Sequence, residues 1–321
     1  MHRIGYLLAD GFQVMALGTQ TVFEVANVAA GERFYTVDNF SVAGGEVKSS
    51  LGLAVGTRRP GAGDVIDTWM VAGVINPLES LPPPAELAFL RDTGSRARRI
   101  AGLCTGGFVL AGAGLLAGRR ATTHWAYARA MRQQYPDIRV EEDRIFIVDG
   151  PVWTSAGMTA AFDLALAMVE HDLGAAVARS VAHKLVMHQR RSGGQSQHSE
   201  MLDLAPKSDR IQEALNYARQ HLDQPLTVEE LAQSVHLSPR QFSRVFTQET
   251  GQSPARAVEG LRLEAARLMI EQSRHPLEVV ARETGFRDRR HLREAFLRGF
   301  GIPPQAVRRE ARGGVLVEEA A

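Results

Sequence analysis

Residues Thr227–Pro254 read TVEELAQSVHLSPRQFSRVFTQETGQSP, and this stretch decides the architecture of the chain's last third. Thr227 and Glu230 have the spacing of a capping box, so a helix opens there and carries Leu231, Ala232 and Val235 on one face. A break is expected at His236–Leu237. Ser238 then caps a second helix, with Pro239 suited to its first position and Gln241 closing another box. In that helix Phe242, Val245 and Phe246 turn inward at i, i+3, i+4 spacing, which leaves Arg240, Ser243, Arg244 and Gln248 outward. Gly251 is placed to end it in the left-handed conformation. Two helices, a tight turn and a polar outer face on the second predict a helix-turn-helix.

The pattern recurs. Ala232 matches Ala281 and Leu237 matches Phe286; after one inserted residue, Phe242 matches Leu292 and Phe246 matches Phe296. Gly251 pairs with Gly301, and Pro254 with Pro304. The second copy's outward face carries Arg289, Arg290, Arg293 and Glu294, and residues 255–272 between the copies read as one long helix. One such pattern is imitated by many helical hairpins, whereas two capped copies with the same ending are specific. Arginine on an outward helix face suits guanine O6 and N7, at about 1–3 kcal/mol of discrimination per bidentate pair. Glu294 suits either a cytosine N4 or a neighbouring arginine. Arg262 and Arg308 are expected to contact phosphates.

With 321 residues the chain is long for one domain, and 45% hydrophobic residues describe an ordinary globular protein. The net charge of +1 is uninformative. Its distribution is not: between Gly285 and Arg312 eight arginines face three acidic residues, the footprint of a phosphate-binding surface. Apolar runs break well before the roughly 18–20 residues a membrane span needs. MHRIGYLLADGF has too short an apolar core for a secretory signal, and the lone Cys104 allows no internal disulfide. A cytoplasmic location is expected, with no membrane, metal or cofactor.

The front of the chain alternates strand and helix patterns. Ile4–Ala9, Asp67–Ile75 and Arg99–Cys104 read as buried strands, with extended pieces at Val140 and Ile145–Val148. Val14–Val28, Phe108–Leu116 and Thr159–His171 read as helices. This predicts an α/β fold, a doubly wound, mostly parallel sheet of flavodoxin-like type, followed by an all-α double helix-turn-helix. The expected boundaries are 1–189 for the sensor domain, 190–207 for a polar linker, 208–312 for the helical domain and 313–321 for a tail. Gly102-Leu-Cys-Thr-Gly106 follows a strand and precedes a helix, the form of a nucleophile elbow. A helix N-terminus behind Cys104 favours its thiolate, while a small buried core cysteine fits the same spacing.

The stretches LSPRQFSRVFTQETGQSP (237–254), RLEAARLMI (262–270), GFRDRRHLREAF (285–296) and FGIPP (300–304) together resemble the DNA-binding domain of AraC-type regulators. The resemblance implies two reading helices in successive major-groove segments. It places base-reading sites on Arg240, Ser243 and Arg244, and on Arg290, Arg293 and Glu294. The second helix departs from the pattern by opening with extra arginines. CTGGFVLAGAGLLAGRRATTHW (104–125) resembles the PfpI/ThiJ, class I glutamine amidotransferase-like domain, in the version fused to AraC-type domains in GlxA-like regulators. That resemblance puts Cys104 at an elbow with His124 nearby, and the amides after Gly73 as an oxyanion-type lining. Enzymes of that kind commonly carry His after the Cys, where Thr105 stands, and an acid where Ala16 stands. Only His124 remains as a base, so no catalytic residue is expected; Cys104 and His124 read as relics.

The implied function is a transcription regulator, an activator, whose front domain binds a small metabolite and dimerises. Its implied partners are double-stranded DNA, RNA polymerase, a second copy, and an effector such as an amino acid or quaternary amine. Ligand contacts are expected from Cys104, Thr105, His124, Trp125, Gly73 and Asp10. Trp69, Trp125 and Trp153 lie near the mouth and could offer cation–π faces, while a tryptophan on a strand more often belongs to the core. The rival reading is a hydrolase or amidotransferase using Cys104 and His124. A nonspecific architectural DNA binder is a third.

Overall fold

Alternate residues of β1 (His2–Leu7) enter two different cores, and this sorting builds the front unit. Ile4 and Tyr6 pack on one side and Leu7 on the other. The same alternation runs through β5 (Thr68–Val71), with Met70 on the first side and Trp69 and Val71 on the second. It continues in β6 (Arg99–Gly102), with Ala101 opposite Ile100, and in β10 (Val152–Ser155), with Trp153 opposite Val152. Strands buried on both faces must be covered twice. Helices α1 (Met15–Gly18), α2 (Gln20–Ala30) and α6 (Met158–Lys184) supply the first core. Helices α3 (Pro84–Gly94), α4 (Gly106–Gly112) and α5 (Trp125–Gln134) supply the second.

The six-stranded sheet has the order β2-β1-β5-β6-β10-β9, where β2 is Tyr35–Phe40 and β9 is Phe146–Asp149. Every pairing is parallel except β9 with β10. Two small ladders, β3 (Gly45–Lys48) with β4 (Ala54–Thr57) and β7 (Arg120–Ala121) with β8 (Arg139–Val140), stand outside it. The chain passes from β1 to β2 on one side and reaches β5 on the other. This reversal opens a crevice at the carboxyl ends of β1 and β5, where ligands bind in such folds.

The structure is a computed structural model and describes residues 1–313 except 62, 95, 188–190, 192, 194–196, 198–203, 205 and 207. It divides into two compact units, Met1–Gln197 and His198–Ala321. The front unit therefore runs past residue 189. Arg191 donates to Asp163 through its backbone (2.9 Å) and its Nε (2.8 Å), and Gln197 packs on the same unit. Leu204 belongs to the rear core. Most of the expected linker 190–207, and the tail beyond 313, lie outside the described residues.

Several elements differ from expectation. The helix expected over Val14–Val28 is divided at Thr19, whose hydroxyl bonds the Ala16 carbonyl and the Tyr6 hydroxyl, both at 2.6 Å. The strand expected over Asp67–Ile75 stops at Val71. The helix expected over Thr159–His171 reaches Lys184 through a break at Gly174 (φ 84°). At the sheet's amino-terminal edge, Arg99 and Asp172 form a buried ion pair joined by Tyr35 and flanked by His2 and Thr68. No described helix is long and apolar enough to cross a membrane.

The rear unit is helical: α7 (Asp209–Gln220), α8 (Val228–Ser234), α9 (Pro239–Thr250), α10 (Pro254–Gln272), α11 (Leu277–Glu283), α12 (Arg289–Phe300) and α13 (Pro304–Gly313). The capping boxes at Thr227 and Ser238 both form. In the second copy Asp288 takes the cap and accepts from the His291 amide at 2.7 Å. Helix α10 is shared between two cores. Ala257, Val258 and Leu261 enter the first with Phe242 and Phe246, and Leu263, Ala266 and Ile270 enter the second with Leu292 and Phe296. One helix feeding both cores ties the modules into a single body.

Candidate nucleic-acid interface and small-molecule site

In α9 the buried pair Phe242 and Phe246 faces the core, which leaves Arg240 and Arg244 exposed and Ser243 half-exposed. Neither arginine side chain meets a partner among the described residues, so both guanidinium forks are free to bind. In α12, Leu292, Ala295 and Phe296 are buried while Arg289, Arg290, Arg293 and Glu294 are exposed. Here the forks are engaged differently. The Arg290 Nε donates to Glu294 at 2.9 Å one turn on, and Arg289 reaches Glu278 of α11 at 3.3 Å. A hydrogen bond from Arg290 holds the Glu294 carboxyl below its usual value. Glu294 thus braces Arg290, and Arg293 is the second helix's guanidinium without a partner among the described residues.

Two arginines expected at phosphates hold backbone carbonyls of their own unit. Arg262 is half-buried and its guanidinium donates to the carbonyls of Leu222 (3.0 Å), Gln224 and Pro225, fastening α10 to the loop before α8. Burial lowers its affinity for the proton. Arg308 donates to the His275 carbonyl. Both satisfy backbone carbonyls that helix ends and loops leave open.

At the front, Cys104 sits just after β6 with φ 54°, the strained conformation of an elbow. Its amide donates to Ser155 Oγ at 3.3 Å, and its carbonyl accepts from Thr123 Oγ1 at 3.0 Å. Thr105 donates through its hydroxyl to the Val74 carbonyl. Gly73 is required there: a Cβ would lie 2.2 Å from Thr105 Oγ1 and 2.4 Å from the Gly106 nitrogen. The Gly73 carbonyl accepts from the Gln13 amide at 2.9 Å, so the loops after β1, β5 and β6 meet at the crevice of the strand-order reversal.

The thiol is 2% exposed, and burial pushes it up to about 11 against the weaker pull of the Thr105 amide and hydroxyl. The expectation of a favoured thiolate is therefore corrected: desolvation outweighs the helix N-terminus. His124 caps α5, its Nδ1 accepting from the Ala126 amide at 3.3 Å. Burial lowers its affinity for the proton. In the neutral ring this places the proton on Nε2, which leaves no free lone pair to take one from a thiol. Iodoacetamide should label Cys104 at neutral pH about 100-fold more slowly than an ordinary cysteine, as a two-unit rise in pKa requires. Mass spectrometry of the alkylated peptide checks this, and fast stoichiometric labelling at pH 7 would contradict it.

The aromatic mouth is smaller than expected. Trp69 and Trp153 point into the two cores from within their strands, with Trp69 against Phe40 and Phe89, and Trp153 against Arg99 and His171. Trp125 alone of the three is exposed, at 54%, with its ring 5.5 Å from that of His124. Asp10 lies in the loop after β1, where its carboxylate accepts from the Lys48 amide at 2.8 Å and orders β3. It is exposed and shapes the rim rather than completing an aromatic cage. Sequence reading missed Gln13, whose side-chain oxygen is buried and accepts no hydrogen bond from the described residues. It also missed Ser155, Thr123 and Tyr127, the last donating to the Ile75 carbonyl at 2.9 Å. Single polar residues in loops carry no periodicity that would single them out.

Comparison with known proteins agrees with this division. Residues 3–171 match the DJ-1/PfpI family, and residues 231–310 match a helix-turn-helix domain family. The HTH-type transcriptional regulator GlxA of Rhizobium meliloti (strain 1021) is 30% identical over 324 residues, covering 97% of each chain. The HTH-type transcriptional regulator CdhR of Pseudomonas aeruginosa is 31% identical over 312 residues, covering 94% of this chain and 90% of that one. Among solved structures, an AraC family transcriptional regulator from Pseudomonas putida superposes with a TM-score of 0.53 at 22% identity. It covers 58% of this chain and 100% of that one, a likeness of fold.

Proposed function

Because this chain belongs to the DJ-1/PfpI family and to the AraC-type helix-turn-helix regulators that carry such a domain, we propose that it reads two DNA segments through α9 and α12 under the control of a small molecule bound at the Cys104 crevice. The chain is a DNA-binding transcription regulator, and its role is regulatory rather than catalytic. One observation carries the reading of its interface: two capped helices bury their phenylalanines and turn Arg240, Arg244 and Arg293 outward. Arg240, Ser243 and Arg244 read one segment. Arg293 and the braced Arg290 read the next, with Arg289 held by Glu278 at the rim.

The effector site is bounded by Gly73, Thr105, Cys104, His124 and Trp125, with Gln13 added and Asp10 at its edge. The buried oxygen on Gln13 suits the N–H of an amino acid's ammonium; a quaternary amine, which has no N–H, would rest on the aromatic ring of Trp125 alone. The protein acts in the cytoplasm as a homodimer, and as an activator it engages RNA polymerase. A ligand controls it only by binding one arrangement of the chain more tightly than another.

Two variants separate the units. Arg244→Ala should lose about 1–3 kcal/mol of discrimination between preferred and scrambled DNA. Cys104→Ala should bind DNA as the parent does, since the thiol is buried 140 residues before Arg244 in a different unit. Competition binding at fixed salt measures both, and loss of DNA binding in a folded Cys104→Ala chain would overturn the division. For the effector, a thermal-shift screen of amino acids and quaternary amines on the full chain is the test. A ligand at 100 times its Kd adds about 2.7 kcal/mol to its unit. A flat response across that panel would remove the effector class from the proposal.

A further inference from the structure

The last described residue of the front unit is Gln197, and its side chain does more than end a domain. Its Nε2 lies 2.7 Å from the Glu142 carbonyl, 2.9 Å from the Thr123 carbonyl, 3.1 Å from the Arg144 carbonyl and 3.2 Å from Thr122 Oγ1. Its Oε1 accepts from the Trp125 amide at 2.9 Å, and its backbone amide donates to Asp143 at 3.1 Å. An amide NH2 has two protons, so four acceptors around it form an over-supplied socket that holds the group from every side. Six residues earlier Arg191 is fastened to Asp163, a carboxylate 1% exposed, and reaches Thr159 at 3.1 Å.

The position of the socket matters. Residues 122–125 carry His124 and Trp125, and Thr123 also bonds the Cys104 carbonyl. The same short segment therefore holds the elbow on one side and the departing chain on the other. We propose that Gln197 is a latch: it fixes the 122–125 wall of the effector site and anchors, on that wall, the point where the chain leaves for the DNA-binding unit. Gln197 is a positioning residue, and the inference rests on the effector site proposed above. A ligand that displaces the backbone of His124–Trp125 breaks up to three of the latch's bonds at once, those to the Trp125 amide, the Thr123 carbonyl and the Thr122 hydroxyl. The contact between pocket and departing chain is then lost. Gln197 closes the stretch RRSGGQSQ (190–197), which resembles the linker of GlxA-like regulators, but it is the hydrogen bonds that give it a role.

Gln197→Met keeps the length of the side chain and removes its donors and acceptor, and Gln197→Glu turns a carboxylate on three carbonyl oxygens. In the full chain, without added ligand, both should speed hydrogen exchange at the backbone amides of Arg191 and Gln197 at least tenfold. The melting transition of the front unit should stay within a few degrees of the parent. Loss of protection at the Trp125 amide alone is the trivial result of deleting its acceptor and would overturn the latch. Both variants should also bind selected DNA at least threefold more weakly, because an undocked exit removes pre-organisation. Faster exchange with unchanged DNA affinity would leave a strap that couples nothing, and would overturn the inference. Neither arm needs an effector, so a flat ligand screen would count against the proposed effector site while the latch is judged separately.

Discussion

Gly285→Ala is expected to cost the rear unit upward of about 3 kcal/mol, at the severe end of single substitutions. Gly285 follows α11 at φ 73°, and a Cβ built there lies 1.9 Å from the Leu222 carbonyl oxygen and 2.6 Å from Arg262 Nε. The oxygen is backbone and already holds Arg262 at 3.0 Å, so it cannot retreat without breaking the clasp between α10 and the loop before α8. The equivalent turn of the first copy separates conformation from contact. His236 stands there with φ 56°, so a residue with a Cβ adopts the same backbone region. Gly251, at φ 75°, has nothing within 4 Å of a built Cβ. Gly251→Ala should therefore lose only about 1 kcal/mol, the penalty of the left-handed region. Chemical denaturation of the full chain, following the rear unit's own transition, compares the two, and equal losses would refute the contact argument.

Asp172→Ala should destabilise the front unit by about 3–5 kcal/mol, because it strands a buried guanidinium. Asp172 has no exposed side-chain surface and Arg99 is 4% exposed, stacked on Trp153 at 5.4 Å. Burial opposes charge on Asp172, but the Arg99 charge and hydrogen bonds from Arg99, His171 and Tyr35 win and hold the carboxyl below its usual range. Its contribution is complete above the ordinary aspartate value and is lost as pH falls toward the lowered one. His2 adds to this with the same sign. Burial, opposed by the charge of Asp172, lowers its affinity for the proton, so it is neutral when folded and must charge as acid unfolds the chain. Below about pH 6.5 the loss through His2 is opposed by Glu86, whose carboxyl is pushed up to about 7 by burial and which stabilises the unit as pH falls. Below about pH 4 the unit should lose stability through Asp172, with Glu141 and Asp64, also held low, adding to the loss. In Asp172→Ala the lower step should shrink to what Glu141 and Asp64 contribute, which melting curves between pH 3 and 8 will show.

The repeat in the rear half was legible because caps, turn glycines and buried aromatics obey local rules. Ser238, Pro239, Gln241 and Gly251 each announce a position before any tertiary contact forms. The second copy was harder, since Asp288 caps it behind an inserted Arg287, and its first helix begins at Pro276 with no side-chain cap. Nothing local showed that Arg262 and Arg308 hold loop carbonyls, because an arginine that does so looks, in sequence, like one that meets phosphate. In the front half the elbow was visible from its glycines. Trp69 and Trp153 took the core place that a tryptophan within a strand usually takes rather than the mouth, because strand periodicity does not say where along a strand the crevice opens. Gln13 turns a side-chain oxygen inward from a loop and Gln197 acts through backbone atoms distant in sequence, and no periodicity encodes either placement.

The central claim is that α9 and α12 each read bases through their own arginines. Selection of binding sequences from random duplex DNA, at salt high enough to suppress phosphate-only binding, tests it most directly. For the parent chain two enriched blocks are predicted within each half-site, one pair per protomer, with centres about one helical turn, 10 base pairs, apart. Arg244→Ala should flatten one block and Arg293→Ala the other. Enrichment of no sequence, or loss of the same block in both variants, would contradict the account.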